Sequence, residues 1–147
     1  MTQTEYVSNS LEQTQKIGAE IAQQLSFPAC VFLQGNLGTG KTTLSKAIIQ
    51  ALGYQGDVTS PTYNIIQEYA VNEGTVYHMD LYRLEDPSEI EFLALGDLYT
   101  PNSIFLIEWP EIGEGYLPEA THSIKLFVKE EGNVSCRIID LESNLII

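Results

Sequence analysis

The sequence predicts an α/β fold whose mixed, partly parallel sheet is flanked by few helices. Its 147 residues suit one domain with a single substantial core, and contents of 44% hydrophobic and 18% charged residues are typical of a globular chain. Several short apolar runs have strand character, whereas only a few segments show helical spacing. No repeat, linker or low-complexity segment divides the chain, so we expect residues 1–147 to form one domain.

The first half of the chain predicts helix, strand, loop and helix in that order. Small and apolar side chains share one helical stripe over residues 10–25, where Ser8 or Ser10 is the expected N-cap. An apolar run over 29–34 predicts a buried strand. A second helical pattern covers 42–52 and should end at the glycine that follows it.

The second half predicts five strands and one short helix. The sequence Asp86-Pro-Ser-Glu89 has the N-cap, N1 proline and N3 glutamate of a capping box, so a helix should begin there and end near Gly96. A Gly132-Asn133 pair marks the turn of a terminal hairpin. The predicted strands span 63–71, 75–81, 103–109, 123–129 and 134–141.

The loop between the first predicted strand and second helix carries the strongest signal. Residues 35–42 read Gly-Asn-Leu-Gly-Thr-Gly-Lys-Thr and fit the phosphate-binding motif G-x-x-x-x-G-K-[ST] in its strand–loop–helix context. Glycines let successive backbone N–H groups point at phosphate oxygens, and the helix N-terminus adds partial positive charge. The motif predicts a P-loop NTPase domain in which Lys41 reaches the β- and γ-phosphates and the Thr42 hydroxyl binds Mg²⁺.

Two acids at strand ends are candidates for the chemistry of this site. Glu108 follows the apolar run 104–107, where P-loop proteins usually place the acid that organises Mg²⁺ and its waters, and the alternative is an exposed glutamate. Asp80 follows 76–79 and could orient the attacking water or contact the metal, or it could cap the next turn. His78, in the same strand, is more typical of a core residue than of a catalytic one.

Polar and aromatic residues near these acids predict a switch or a partner contact. Thr59, Ser60 and Thr62 surround a proline, and their hydroxyls could close on phosphate or Mg²⁺ and release after hydrolysis, although an ordinary turn is an equal alternative. Trp109 is the only tryptophan, and we expect it either beside the site or against a partner protein.

Charge and apolar patterning limit the partners. Seven Lys and Arg residues stand against 20 Asp and Glu, which gives a net charge of −13, and two of the seven (Lys41 and Lys46) belong to the nucleotide loop and its helix. The chain has too few cations to neutralise nucleic-acid phosphates, so we expect no tight binding of RNA or DNA by the chain alone. The acidic surface either confers solubility or docks on a basic partner. Without a membrane-length apolar run or a basic leader, a cytoplasmic location is expected, with Cys30 and Cys136 as reduced core thiols.

Four segments together resemble the TsaE (YjeE) family of bacterial ATPases. They are residues 35–43, Ser60-Pro-Thr-Tyr63, His78-x-Asp-Leu-Tyr-Arg83 and Ile107-Glu-Trp-Pro110, in matching order and at matching intervals. The likeness spans about residues 10–140. It implies an ATPase of low intrinsic activity that supports threonylcarbamoylation of adenosine 37 in tRNA together with the subunits TsaB and TsaD, so that tRNA is reached indirectly through the complex.

The resemblance also implies roles for individual residues. Glu108, Asp80 and Lys41 are the expected catalytic residues, and Mg²⁺ is assigned to Thr42 and Glu108. Asp80 and Trp109 are expected to be critical for function. Ser10 and Leu11 are expected to cover adenine, with Lys129 alongside. Binding of ATP is assigned to Leu37, Gly38, Thr39, Gly40, Lys41, Thr42 and Thr43.

Three other functions compete with an ATPase. A small-molecule kinase usually needs mobile arginines over the transferred phosphoryl group, and this chain has two arginines in total. A GTPase would be expected to carry N-K-x-D, but no asparagine here precedes a lysine. A nucleotide-gated binding module that does not hydrolyse ATP stays open.

Overall fold

A computed structural model describes residues 2–58 and 65–144, which contain one seven-stranded sheet. The order of its strands is β1-β7-β6-β2-β5-β4-β3. The strands are β1 (Thr2–Ser8), β2 (Ala29–Gln34), β3 (Ile66–Ala70), β4 (Thr75–Asp80), β5 (Ser103–Glu108), β6 (His122–Glu131) and β7 (Val134–Ser143). The α-helices are α1 (Leu11–Gln24), α2 (Lys41–Ala51) and α3 (Leu95–Leu98), and two 3₁₀ helices cover Pro87–Leu93 and Pro110–Gly113.

The centre of the sheet is parallel and its edges are antiparallel. Strand β2 pairs in parallel with β5 and β6, and β5 pairs in parallel with β4. Strands β3, β7 and β1 add antiparallel pairs outside this centre. Every residue of β5 is buried, as expected for a parallel strand that is covered on both faces. The predicted mixed, partly parallel α/β fold is confirmed.

Helices α1 and α2 cover one face of the sheet, and the short helices cover the other. The first face contributes alternate strand residues such as Leu33, Ile104 and Ile139 to a core with Ile21 and Ile48 of the two helices. The opposite face forms a smaller cluster around Phe105 and Met79. The site is therefore built on a sheet whose central strands are fixed by packing on both sides.

Most predicted elements occur within one to three residues of their expected bounds. The first two residues of the strand expected at 63–71 lie outside the described residues. The expected short helix is mainly 3₁₀ and breaks at Ala94, whose φ of 52° is left-handed. Cys30 is buried, but Cys136 is only half-buried, so the prediction of a core thiol was wrong for Cys136. Over residues 2–58 and 65–144, the helices are too short or too polar to cross a bilayer.

Candidate nucleotide site

The glycine-rich loop joins β2 to α2, and all three of its glycines have positive φ, with Gly35 at 159°. Gly38 has a φ of 80° and Gly40 a φ of 98°, in a region that glycine adopts without the strain of a Cβ. Gly40 is the N-cap of α2, and its carbonyl accepts from the Leu44 N–H at 2.9 Å. Inside the loop, the Thr39 hydroxyl donates to the Asn36 carbonyl at 2.8 Å. The loop is thereby folded against the start of the helix, as anion binding requires.

A cleft of about 230 Å³ lies over this loop and brings most of the expected residues together. Asp80 and Glu108 reach it because β4 and β5 are parallel neighbours in which these two residues are paired, so both acids lie at the carboxyl edge of the sheet. The lining residues are Leu37, Gly38, Gly40, Lys41, Thr42, Thr43, Asp80, Tyr82, Glu108 and Trp109.

Lys41 is a buried cation without a direct carboxylate partner among the residues that the structure describes. Only 5% of it is exposed, its Nζ donates to the Gly35 carbonyl, and Nζ lies 3.5 Å from the centre of the Trp109 ring. Burial lowers the pKa of Lys41, while the charges of Glu108, Glu111 and Asp80 oppose that shift. A buried ammonium held by a carbonyl and a ring face can gain further stabilisation from an anion in the cleft.

Trp109 is half-buried beside the site. It follows β5 directly with a left-handed φ of 59°, and its backbone N–H donates to the Leu33 carbonyl at 3.3 Å. The indole packs against Tyr82, with ring centres 4.9 Å apart. Trp109 was expected either beside the site or against a partner protein. The indole lies beside the site, where it covers Lys41. Contact with a partner protein stays a prediction.

Glu108 contacts both the loop and the core. The Thr42 hydroxyl lies 3.0 Å and 3.3 Å from its two carboxylate oxygens, and Nε2 of His78 lies 2.6 Å from Oε2. Only 2% of Glu108 is exposed, so the alternative of an exposed strand-end glutamate was wrong. Two oxygen ligands, a hydroxyl and a carboxylate, meet at the start of α2, and this donor set suits Mg²⁺.

Asp80 both caps a turn and lines the cleft. Its Oδ1 accepts from the Tyr82 N–H at 3.0 Å. Burial raises the pKa of Asp80, and the nearby charge of Glu108 raises it further, while the Tyr82 hydrogen bond lowers it. The expected turn cap is therefore present, and the carboxylate also lies in the cleft, where it could orient water or contact the metal.

The expected adenine contacts are divided between two places. The Ser10 hydroxyl accepts from the Gln13 N–H at 3.1 Å and caps α1. Leu11 lines a second cleft, of about 180 Å³, with Thr14, Gly40, Thr43 and Arg137. Lys129 lines neither cleft and pairs with Glu131 at 3.2 Å. The structure brings Leu11 to the loop but does not bring Lys129 there, and Thr59, Ser60 and Thr62 lie outside the described residues.

Sequence reasoning missed the contacts of two residues at this site. His78 was expected in the core, and it is fully buried, but its contact with Glu108 was not expected. The available signal was the even spacing from Asp80, which places both side chains on one face of β4. No function was predicted for Arg137. The available signal was that it is one of two arginines and lies in an apolar segment.

The strand, glycine-rich loop and helix, with a buried lysine and a strand-end acid over the loop, define a P-loop domain. The family model described as "Threonylcarbamoyl adenosine biosynthesis protein TsaE" matches residues 8–138, and the chain belongs to this family.

Curated relatives and a solved structure agree with this assignment. The TsaE protein of Haemophilus influenzae is 52% identical over 90 residues, which cover 61% of this chain and 57% of that protein. The Rickettsia felis relative is 38% identical over 95% of this chain and 83% of its own length. The Bacillus subtilis relative is 36% identical over 90% of this chain and 82% of its own length. Each is named tRNA threonylcarbamoyladenosine biosynthesis protein TsaE. The crystal structure of Bacillus subtilis YdiB superposes with a TM-score of 0.72 at 27% identity and covers 97% of this chain and 86% of that one.

Proposed function

We propose that this chain binds and hydrolyses ATP with Mg²⁺ and supports threonylcarbamoylation of adenosine 37 in tRNA, together with TsaB and TsaD. The observation that carries the proposal is the meeting of Lys41, Thr42 and Glu108 in one cleft over the glycine-rich loop. The names of the relatives support the pathway. The cleft supports the nucleotide chemistry.

Phosphate binding follows from the groups that line the cleft. The loop supplies backbone N–H donors at the start of α2, and Lys41 supplies a charge that no described carboxylate contacts directly. Thr42 and Glu108 would hold Mg²⁺, which usually takes only one or two protein ligands and completes its shell with water and phosphate oxygens. When bound, the ion supplies charge neutralisation across the β- and γ-phosphates.

Hydrolysis needs a group that orients water, and Asp80 has the position for it. The carboxylate lines the cleft beside Glu108, and burial raises its pKa. Neither of the two arginines lines this cleft, so positive charge over the γ-phosphate comes from Lys41 alone among its lining residues. We therefore expect slow turnover by the isolated chain and faster turnover with its partners.

Charge and exposure favour an indirect route to tRNA. A net charge of −13 disfavours contact with RNA phosphates and suits docking on protein. Tyr82 is 47% exposed at the rim of the cleft and packs on Trp109, which covers Lys41. A partner that contacts this rim would sense the nucleotide. We propose that TsaB and TsaD dock here in an ATP-sensitive manner in the cytoplasm.

Calorimetric titration with Mg²⁺-ATP tests nucleotide binding. Lys41→Ala should weaken ATP binding by about one to two decades, because it removes a charge-assisted contact of roughly 1.5–3 kcal/mol. Lys46→Ala is the matched control, since Lys46 belongs to the same helix but lines neither cleft. Equal affinity in wild type and Lys41→Ala would overturn the assignment of the phosphate site.

Phosphate-release assays with and without TsaB and TsaD test the remaining steps. Turnover that rises with the partners supports an ATPase subunit, whereas ATP binding without phosphate release in either condition would favour a nucleotide-gated binding module. A filter-binding titration with tRNA should show no tight binding by the chain alone at physiological salt. Sub-micromolar tRNA binding by the isolated chain would contradict the indirect route.

A further inference from the structure

The loop cleft continues into a second cleft on the side of α1. The two share Gly40 and Thr43, and the second is also lined by Leu11, Thr14 and Arg137. A nucleotide with its phosphates over the loop would pass its sugar and base across these shared residues. The second cleft is thus placed for the base.

Arg137 reaches this cleft because of the register of the terminal hairpin. It pairs with Val128 of β6 and with Ser8 of β1, neither of which is charged. Arg137 shares a strand face with Ile139, which is buried in the core beneath α1 and α2. Lys129 is one residue beyond Val128 and therefore points to the opposite face of the sheet.

The Arg137 side chain lies directly against the loop. A Cβ built on Gly40 would meet its Nε at 3.2 Å and its Cδ at 3.4 Å. The Nε is buried, and within residues 2–58 and 65–144 it has no hydrogen-bond partner. Arg137 also forms no salt bridge there, although the chain carries 20 acids. Leaving a buried donor unpaired costs free energy, which a ligand that accepts from it would recover.

We propose that Arg137 is a nucleobase-binding residue, whose guanidinium stacks on the base opposite Leu11 and donates from Nε to the ribose. This inference rests on the proposed nucleotide function. The planar cation suits an aromatic ring face, and the apolar Leu11 side chain, 61% exposed, supplies the other wall. Arg137 does not line the cleft that holds Lys41 and Thr42, so it acts on the base and not on the phosphate chain.

Two ligands separate base binding from phosphate binding. Mg²⁺-ATP and Mg²⁺-tripolyphosphate are titrated by calorimetry against wild type and Arg137→Met, which keeps an apolar stem against Gly40 but removes the plane, the charge and the donors. ATP affinity should fall about fivefold to thirtyfold, and tripolyphosphate affinity should not change. Arg137→Lys keeps the charge but loses the plane and Nε, so it should weaken ATP binding in the same direction.

Control variants make the outcome decisive. Lys129→Met removes the same charge outside both clefts and should bind both ligands like wild type. An equal loss of both ligands in Arg137→Met, unchanged ATP affinity in it, or full ATP affinity in Arg137→Lys would each overturn the base-binding role. Unchanged tripolyphosphate binding also reports that the variant is folded. Lys41→Ala should bind both ligands more weakly than wild type, and if it weakens neither, the proposed phosphate site itself fails.

Discussion

Nε2 of His78 lies 2.6 Å from Oε2 of Glu108, and both side chains are buried. A carboxylate only accepts hydrogen bonds, so the tautomer of His78 with its N–H on Nε2 donates to Glu108. The Thr42 hydroxyl donates to the same carboxylate from the loop side. His78 thus fixes the orientation of the acid proposed to bind Mg²⁺, in the way that outer residues commonly orient metal ligands.

Replacing His78 should therefore change the metal dependence of nucleotide binding. In His78→Leu, Glu108 loses a donor, and the Mg²⁺ concentration for half-maximal ATP binding should rise about tenfold. His78→Gln keeps an N–H donor and should restore part of this loss. A Mg²⁺ titration of ATP binding measures the effect, with thermal unfolding without nucleotide as a separate measure of stability. If ATP binding depended on Mg²⁺ identically in His78→Leu and His78→Gln, the N–H donor at position 78 would have no effect, and His78 would only fill space.

The close approach of α1 and α2 requires a glycine at position 18. A Cβ built on Gly18 would lie 2.5 Å from the Ala47 Cβ, so Gly18→Ala should lower the free energy of unfolding by about 1–3 kcal/mol despite its better helix propensity. Adding Ala47→Gly should recover part of the loss as a favourable coupling. Gly96→Ala, where nothing lies within 4 Å, is the control. Urea unfolding of wild type, Gly18→Ala, Ala47→Gly and the double variant measures the coupling, and zero coupling would contradict the crowding.

Stability should fall at alkaline pH because of Cys30. Burial raises the pKa of this thiol from 9.0 to about 12. Above about pH 9 the unfolded chain releases the thiol proton while the folded chain keeps it, so each further pH unit costs about 1.4 kcal/mol until the folded pKa is reached. The difference in unfolding free energy between wild type and Cys30→Ala should therefore shift by about 1.4 kcal/mol against wild type from pH 8 to pH 10. Cys136→Ala is the control, and a constant difference for Cys30→Ala would contradict the prediction.

The fold was predictable where apolar periodicity is strong. Helix α1 and strands β2 and β5 carry uninterrupted patterns, and the structure places them within one or two residues of the expected bounds. Strand β1 (Thr2–Ser8) was not predicted because six of its seven residues are not buried, so its pairing with β7 leaves little trace in the sequence. The left-handed conformation of Ala94 likewise leaves no trace in the sequence, so the 3₁₀ form of the capping-box helix was not predicted.

The site was predictable where it depends on one segment and not where it depends on register. The loop motif is contiguous, and Glu108 and Asp80 follow from the rule that parallel strands end at one edge of the sheet. Arg137 reaches the second cleft and Lys129 does not, because the two side chains lie on opposite faces of the hairpin. Tertiary packing determines which of these faces lies against α1. The contact of His78 with Glu108 likewise needs the pairing of β4 with β5.

Asp80 can be tested with its cap left intact, because Asp80→Asn keeps the oxygen that accepts from the Tyr82 N–H and removes the charge. If Asp80 orients water for hydrolysis, phosphate release in the presence of TsaB and TsaD should fall at least about a hundredfold in Asp80→Asn, with ATP affinity nearly unchanged. Asp86→Asn is a matched control, since Asp86 accepts from the Ser88 N–H at the same 3.0 Å outside the cleft. Wild-type turnover in Asp80→Asn, combined with loss of stability in Asp80→Ala, would leave Asp80 as a turn cap alone.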